Sequence, residues 1–165
     1  MMLLLSVTGL AQKRTTRPKP KPTQTRPATA AKPPVADLRP EANAVAEQLK
    51  LLSRFIYLYG RVSNTLETAE AQERRRELTR TQIEQNKKSR ETLVANINSY
   101  RAGLEQLAQK IQANPRLQFQ HLKMVSATDS VVEAEQLAAE GKYDDAGRAL
   151  VRAAEKLAEV VAEIR

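Results

Sequence analysis

The chain has 165 residues, 41% hydrophobic and 28% charged, with five glycines, no tryptophan and only 4% aromatic residues. That is room for one domain with an aliphatic core, and too few turn glycines for an all-β fold. There is no cysteine and His121 is the sole histidine, which excludes disulfides, thiolate metal sites, iron–sulfur clusters and thiol nucleophiles and removes most histidine-based chemistry. The net charge of +8 is uneven: eight Lys/Arg stand against Asp37 alone between Lys13 and Arg39, and the remainder carries 19 Lys/Arg against 18 Asp/Glu. A folded part that grips a polyanion is therefore disfavoured.

Residues 1–11, MMLLLSVTGLA, read as a secretory signal. Leu3, Leu4, Leu5, Val7 and Leu10 form an apolar stretch, and Gly9-Leu10-Ala11 is a small-x-small cleavage site that would leave Gln12 first. The run is short and no cation precedes it, so the signal is expected to be truncated, with a start codon upstream. Crossing a bilayer takes about 20 apolar residues, more than this stretch supplies. The expected location is secreted or periplasmic, and cytoplasmic if residues 1–11 are not a signal.

Residues 12–37 carry Pro18, Pro20, Pro22, Pro27, Pro33 and Pro34 among Lys, Arg, Thr and Ala. Each proline fixes φ and removes a donor, so this segment should be a disordered, solvated polyproline-II linker. At about 3.1 Å per residue it would reach roughly 75 Å. It is either a plain spacer or an electrostatic attachment to an anionic envelope surface.

Residues 38–165 are expected to fold as an all-α bundle of about four helices. Asp37 can cap the first helix and Pro40 is tolerated in its first turn. Val45, Leu49, Leu52, Ile56 and Tyr59, then Ser63 and Leu66, recur at steps of four and three. Phe55-Ile56-Tyr57-Leu58-Tyr59 is apolar around the whole circumference, which predicts burial on more than one side, where a second helix pair packs. Leu93, Ile97, Tyr100, Leu104, Leu107 and Ile111 repeat the stripe, which is coiled-coil-like and compatible with dimerisation. A capping box at Thr81-x-x-Glu84 divides the segment into antiparallel helices over 38–77 and 81–113. One unbroken helix from the low sixties to 113 is the alternative, because no Gly or Pro interrupts residues 61–102.

Asn114-Pro115 starts a third helix, with Leu117, Met124, Val131 and Leu137 among its apolar residues, and Gly141 ends it. A fourth, over 143–164, carries Ala146, Leu150, Ala153, Leu157, Val160 and Ile164, with Asp144 and Asp145 favourable to the helix dipole in its first turn. The run Leu137-Ala138-Ala139-Glu140-Gly141-Lys142-Tyr143-Asp144-Asp145-Ala146, followed by Leu150 and Ala153-Ala154, resembles the turn and second helix of a tetratricopeptide repeat. The resemblance covers about residues 131–160 and occurs once, without the family's Trp and Leu-Gly upstream. It implies a tight helical hairpin and does not license a peptide-binding groove, since such repeats work in stacks.

No phosphate loop, dinucleotide fingerprint or nucleophile elbow occurs, which points to a non-enzymatic chain without cofactor or metal. His121, at helical spacing from Leu117 and Val125, reads as a helix-face residue. Glu133/Glu135 and Asp144/Asp145 are neighbours on a helix and do not converge as acid–base pairs would. Arg74, Arg75 and Arg76 form a basic contact candidate, but Glu70, Glu73 and Glu77 stand at three- and four-residue spacing and are expected to pair with them. Phe55, Tyr57 and Tyr59 are the candidate partner-binding surface, with Tyr57 as the exposed aromatic anchor; packing in the core or a dimer is the competing use. The expected function is a structural or protein-interaction module of the cell envelope, binding an unknown protein or itself. The alternative is nucleic-acid binding by the basic tail, which is similar to the basic tails of linker-histone-like proteins; the neutral bundle and scarce aromatics make nucleic acid the weaker partner.

Overall fold

The computed structural model describes residues 37–164. The signal read at 1–11 and all of the linker except Asp37 lie outside the described residues. Four helices follow one another: α1 (Arg39–Arg74), α2 (Arg80–Gln112), α3 (Gln118–Ala139) and α4 (Tyr143–Glu163), with a 3-10 turn at Pro115–Leu117 leading into α3. No strand occurs among the described residues, so the fold is the all-α bundle that the hydrophobic periodicity predicts.

α1 starts where Asp37 accepts a hydrogen bond from the Arg39 amide at 3.1 Å and Pro40 occupies the first turn. Its Val45, Leu52, Tyr59 and Leu66, spaced by seven, are all buried. At 36 residues it is about 54 Å long. The chain then breaks, which overturns the unbroken-helix alternative. Arg76 adopts φ 60°, its amide donates to the Glu73 carbonyl at 2.9 Å, and the Glu77 amide donates to the Gln72 carbonyl at 3.0 Å. These two bonds are the Schellman closure of a helix C-terminus, made here without glycine.

α2 opens on a capping box two residues before the expected one. The Thr79 hydroxyl accepts from the Gln82 amide at 3.4 Å, and the Gln82 side chain accepts from the Thr79 amide at 2.9 Å. The left-handed turn at Arg76 reverses the chain early enough that Thr79 holds the extended conformation a cap needs, whereas Thr81 is already helical. Leu93, Ile97, Leu104 and Ile111 of α2 are buried. Asn114 caps the 3-10 turn by accepting from the Arg116 amide at 3.2 Å. The second Schellman closure ends α3, with Gly141 at φ 78° and the Lys142 amide donating to the Leu137 carbonyl at 2.9 Å.

Short connections make each helix antiparallel to the one before it. α1 packs on α2 and α4, α2 on α3, and α3 on α4, while the diagonal pairs stay apart. The α3/α4 seam is the most extensive; Ala127, Ala134 and Ala138 of α3 and Ala146, Ala149 and Ala153 of α4 are fully buried, and such small side chains let two backbones approach. The α1/α2 seam is the least extensive of the four. The long α1–α2 hairpin is held mainly through the second hairpin. The Tyr59 hydroxyl donates to the Tyr143 carbonyl at 2.8 Å, and the Tyr143 hydroxyl donates to Glu70 at 2.8 Å. Arg90 reaches the same Glu70 oxygen at 3.5 Å, so α1, α2 and the start of α4 meet at one carboxylate.

Candidate functional site

The apolar segment 55–59 is divided by its helix. Tyr59 turns inward and is 3% exposed, Phe55 and Ile56 are half-buried, and Tyr57 and Leu58 are 71% and 54% exposed. α4 covers one side of this segment through Tyr59 and Tyr143. The expectation of burial around the whole circumference fails at Leu58, which lines the open groove between α1 and α2, and at Tyr57, which has only α1 side chains around it. Of the three aromatics singled out from sequence, Phe55 and Tyr59 therefore share one groove, with their rings 6.0 Å apart and Tyr59 at the core, while Tyr57 projects outward.

That groove runs between α1 and α2 with a volume of about 790 Å³. Buried Tyr59, Leu66 and Leu93 form its floor, and Phe55, Leu58 and Val62 its α1 wall. Arg61 and Lys88 are the charged residues that line it, and no carboxylate does. A smaller space of about 360 Å³ continues it toward the α1–α2 loop, sharing Thr65 and Asn86 and lined largely by amides and threonines. Leu58 of the apolar segment, together with Leu51 and Val62, which the sequence reading did not name individually, is exposed and joins Phe55 at steps of four, three and four. This stripe lies beside the core stripe on α1. The same heptad spacing that marks the core is its available signal.

Arg74, Arg75 and Arg76 fall on the last residue, the cap and the left-handed residue of the α1 terminus. The predicted pairing with nearby glutamates is not formed. Among the described residues no ion pair within 4.0 Å involves these three arginines, while Glu70 is taken by Tyr143 and Arg90. Ending the helix at Arg74 removes the regular spacing for Arg75 and Arg76, while Glu70, still at helical spacing from Arg74, is engaged elsewhere.

Three of the four remaining carboxylate candidates are engaged in ordinary helix-surface bonds. Glu133 pairs with Arg152 at 2.7 Å, Glu135 with Arg101 at 3.0 Å and Asn98 at 2.8 Å, and Asp145 with Arg148 at 3.4 Å. His121 is half-buried on α3, and no three His, Cys, Asp or Glu side chains converge as a metal site among the described residues. None of the described helices is long and apolar enough to cross a membrane. A second exposed apolar patch, Phe119, Leu122 and Val125, sits near the start of α3.

No family model matches the chain, and neither the curated proteins nor the solved structures contain a significant match to it.

Proposed function

We propose that this chain is a non-enzymatic protein-interaction module of the cell envelope or exterior, whose α1/α2 groove buries one apolar face of an amphipathic helix from another protein. The observation that carries this reading is the groove itself, apolar on its floor and along Phe55, Leu58 and Val62 of α1, polar along α2, and cationic where charged. From Phe55 to Leu66 the site spans eleven helical steps, about 17 Å, which fits three turns of a helix laid alongside. Arg61 and Lys88 with no lining carboxylate favour an occupant with acidic margins. A second copy of the chain is a poorer fit. A two-fold contact presents the same surface twice, so a second groove would offer Arg61 and Lys88 no acidic partner.

The envelope assignment is supported by the apolar stretch and cleavage site at residues 1–11. The basic linker would then set the distance of the bundle from its point of export or attach it to an anionic envelope surface. In this reading the α3–α4 hairpin, with its likeness to one tetratricopeptide-like repeat, supports α1 and is not the binding surface, since a single repeat has no stacked neighbours. Nucleic-acid binding through the tail is the alternative, and it rests on residues outside those described.

The test uses two three-turn helical peptides with the same leucine face, one with Glu margins and one with Lys margins. The Glu peptide is expected to bind the full chain, and Leu58→Glu with Val62→Glu to abolish that binding while leaving helicity unchanged. Equal binding of both peptides, or of neither, rejects the groove as an acidic-helix site. Self-association abolished by the same substitutions would assign the groove to a second copy. Sequencing the mature N-terminus after cell fractionation tests location: a chain starting at Gln12 outside the cytoplasm is expected, and a cytoplasmic chain retaining Met1 rejects export.

A further inference from the structure

We infer that the α1–α2 tip is a second docking site, specific for an anionic phospholipid surface met end-on by Arg74, Arg75, Arg76 and Arg80. All four side chains are exposed and none is in an ion pair among the described residues. Elsewhere pairing is common: Lys123, Lys142, Arg148 and Arg152 of the second hairpin each hold a carboxylate. The tip projects because the second hairpin ends below it. Glu70 bonds Tyr143, the first residue of α4, and Arg74 lies four residues farther, about 6 Å along the axis, with the five-residue loop beyond.

Helix stability does not account for this set. Cations at the C-terminus of α1 are favoured by its dipole, which covers Arg74 and Arg75. Arg80 is the first residue of α2, where the dipole disfavours a cation, and no acidic residue occupies that first turn. Arg76 sits in the left-handed region, where a glycine would be cheaper. Both departures from local preference place guanidinium groups at the same loop, and guanidinium forks match phosphate oxygens bidentately.

The charge map orients the molecule. Residues 73–88 hold six cations against three carboxylates, whereas Gln118–Glu163 holds five against nine. An anionic plane would attract the tip and repel the second hairpin. A nucleic-acid strand is the weaker fit, because no aromatic side chain lies between Gly60 and Ser99 to stack a base. A projecting end suits a plane better than it suits a duplex, which rewards a row of cations along one face.

The basic linker could also bind such a surface, so the parent for the test is the full chain with Lys13, Arg14, Arg17, Lys19, Lys21, Arg26 and Lys32 changed to Gln. It is expected to bind phosphatidylcholine vesicles only when they contain phosphatidylglycerol, and less as salt is raised. Adding Arg74→Gln, Arg75→Gln, Arg76→Gln and Arg80→Gln should weaken binding at least tenfold, since each cation near such a surface contributes about a fivefold factor. Arg148→Gln with Arg152→Gln should not. Glu73→Gln with Glu77→Gln should tighten binding several-fold, a gain that misfolding cannot mimic. The inference is overturned if the four arginine substitutions leave binding unchanged, if the glutamate substitutions give no gain, or if the parent binds duplex DNA more tightly per phosphate than these vesicles.

Discussion

The Tyr59 hydroxyl donates a 2.8 Å hydrogen bond to the main-chain carbonyl of Tyr143, eighty-four residues away. It ties the middle of α1 to the first residue of α4 and fixes which side of the 55–59 segment is buried. The pair also explains how a weak α1/α2 seam is tolerated, since α1 is held by α4. Removing the hydroxyl leaves the ring packing intact but deletes the bond. Tyr59→Phe should therefore lower stability by about 1 kcal/mol, read as a lower urea midpoint with an unchanged m-value. A changed m-value would mean that α1 had loosened as a unit.

Alkaline pH should destabilise the bundle through its tyrosines. Burial pushes the Tyr59 and Tyr100 hydroxyls well above the ordinary value near 10, and burial together with the bond donated to Glu70 pushes Tyr143 up to about 12. The unfolded chain ionises first, so this contribution to stability is complete below about pH 10 and is lost as pH rises through the folded values. Lys123, held up by Glu163 and Glu159, adds in the same direction. Urea midpoints measured across this window should fall steadily, and the fall should be shallower with Tyr59→Phe, Tyr100→Phe and Tyr143→Phe combined. An equal slope in the triple variant would place the effect in the lysines.

The helices are legible in the sequence, and the seams between them far less so. Leu93, Ile97, Leu104 and Ile111 repeat at core spacing and are buried, because periodicity reports directly on which face is apolar. It cannot report which of two apolar stripes on α1 finds a neighbour. Leu52 is fully buried, yet Leu51, Leu58 and Val62 on the adjacent stripe are left exposed. The break after Arg74 is obscured for another reason. Its left-handed residue is Arg76 in place of the usual glycine, so the strongest stop signal is missing from the sequence. Gly141, which makes the same closure after α3, is readable at once.

That contrast between two equivalent turns gives opposite expectations for opposite substitutions. Arg76→Gly should stabilise the fold by about 1 kcal/mol, the penalty of a left-handed non-glycine residue. Gly141→Ala should destabilise it by at least that much: φ is 78°, and a Cβ there would lie 3.3 Å from a Glu70 oxygen already engaged with Tyr143 and Arg90. Thermal midpoints of the two variants should move in opposite directions. If Arg76→Gly brings no gain, the loop is not under the strain that its backbone angle implies.

Gly60 offers the cleanest gain in stability. It lies in the interior of α1, exposed, and a Cβ added there meets nothing within 4 Å. Glycine in a helix interior costs about 1 kcal/mol relative to alanine, chiefly through the freedom of the unfolded chain. Gly60→Ala should therefore raise stability by nearly that amount. Gly147 of α4 is the control, because a Cβ there would touch the Tyr59 ring at 3.4 Å and any repositioning of that ring would strain its bond to Tyr143. Gly147→Ala should gain less than Gly60→Ala, with the difference disappearing in a Tyr59→Leu background. Urea midpoints for the two alanine variants, alone and in that background, measure whether α1 is stiff at its middle. A Gly60→Ala variant that loses stability would instead show that α1 needs to bend there to reach α4.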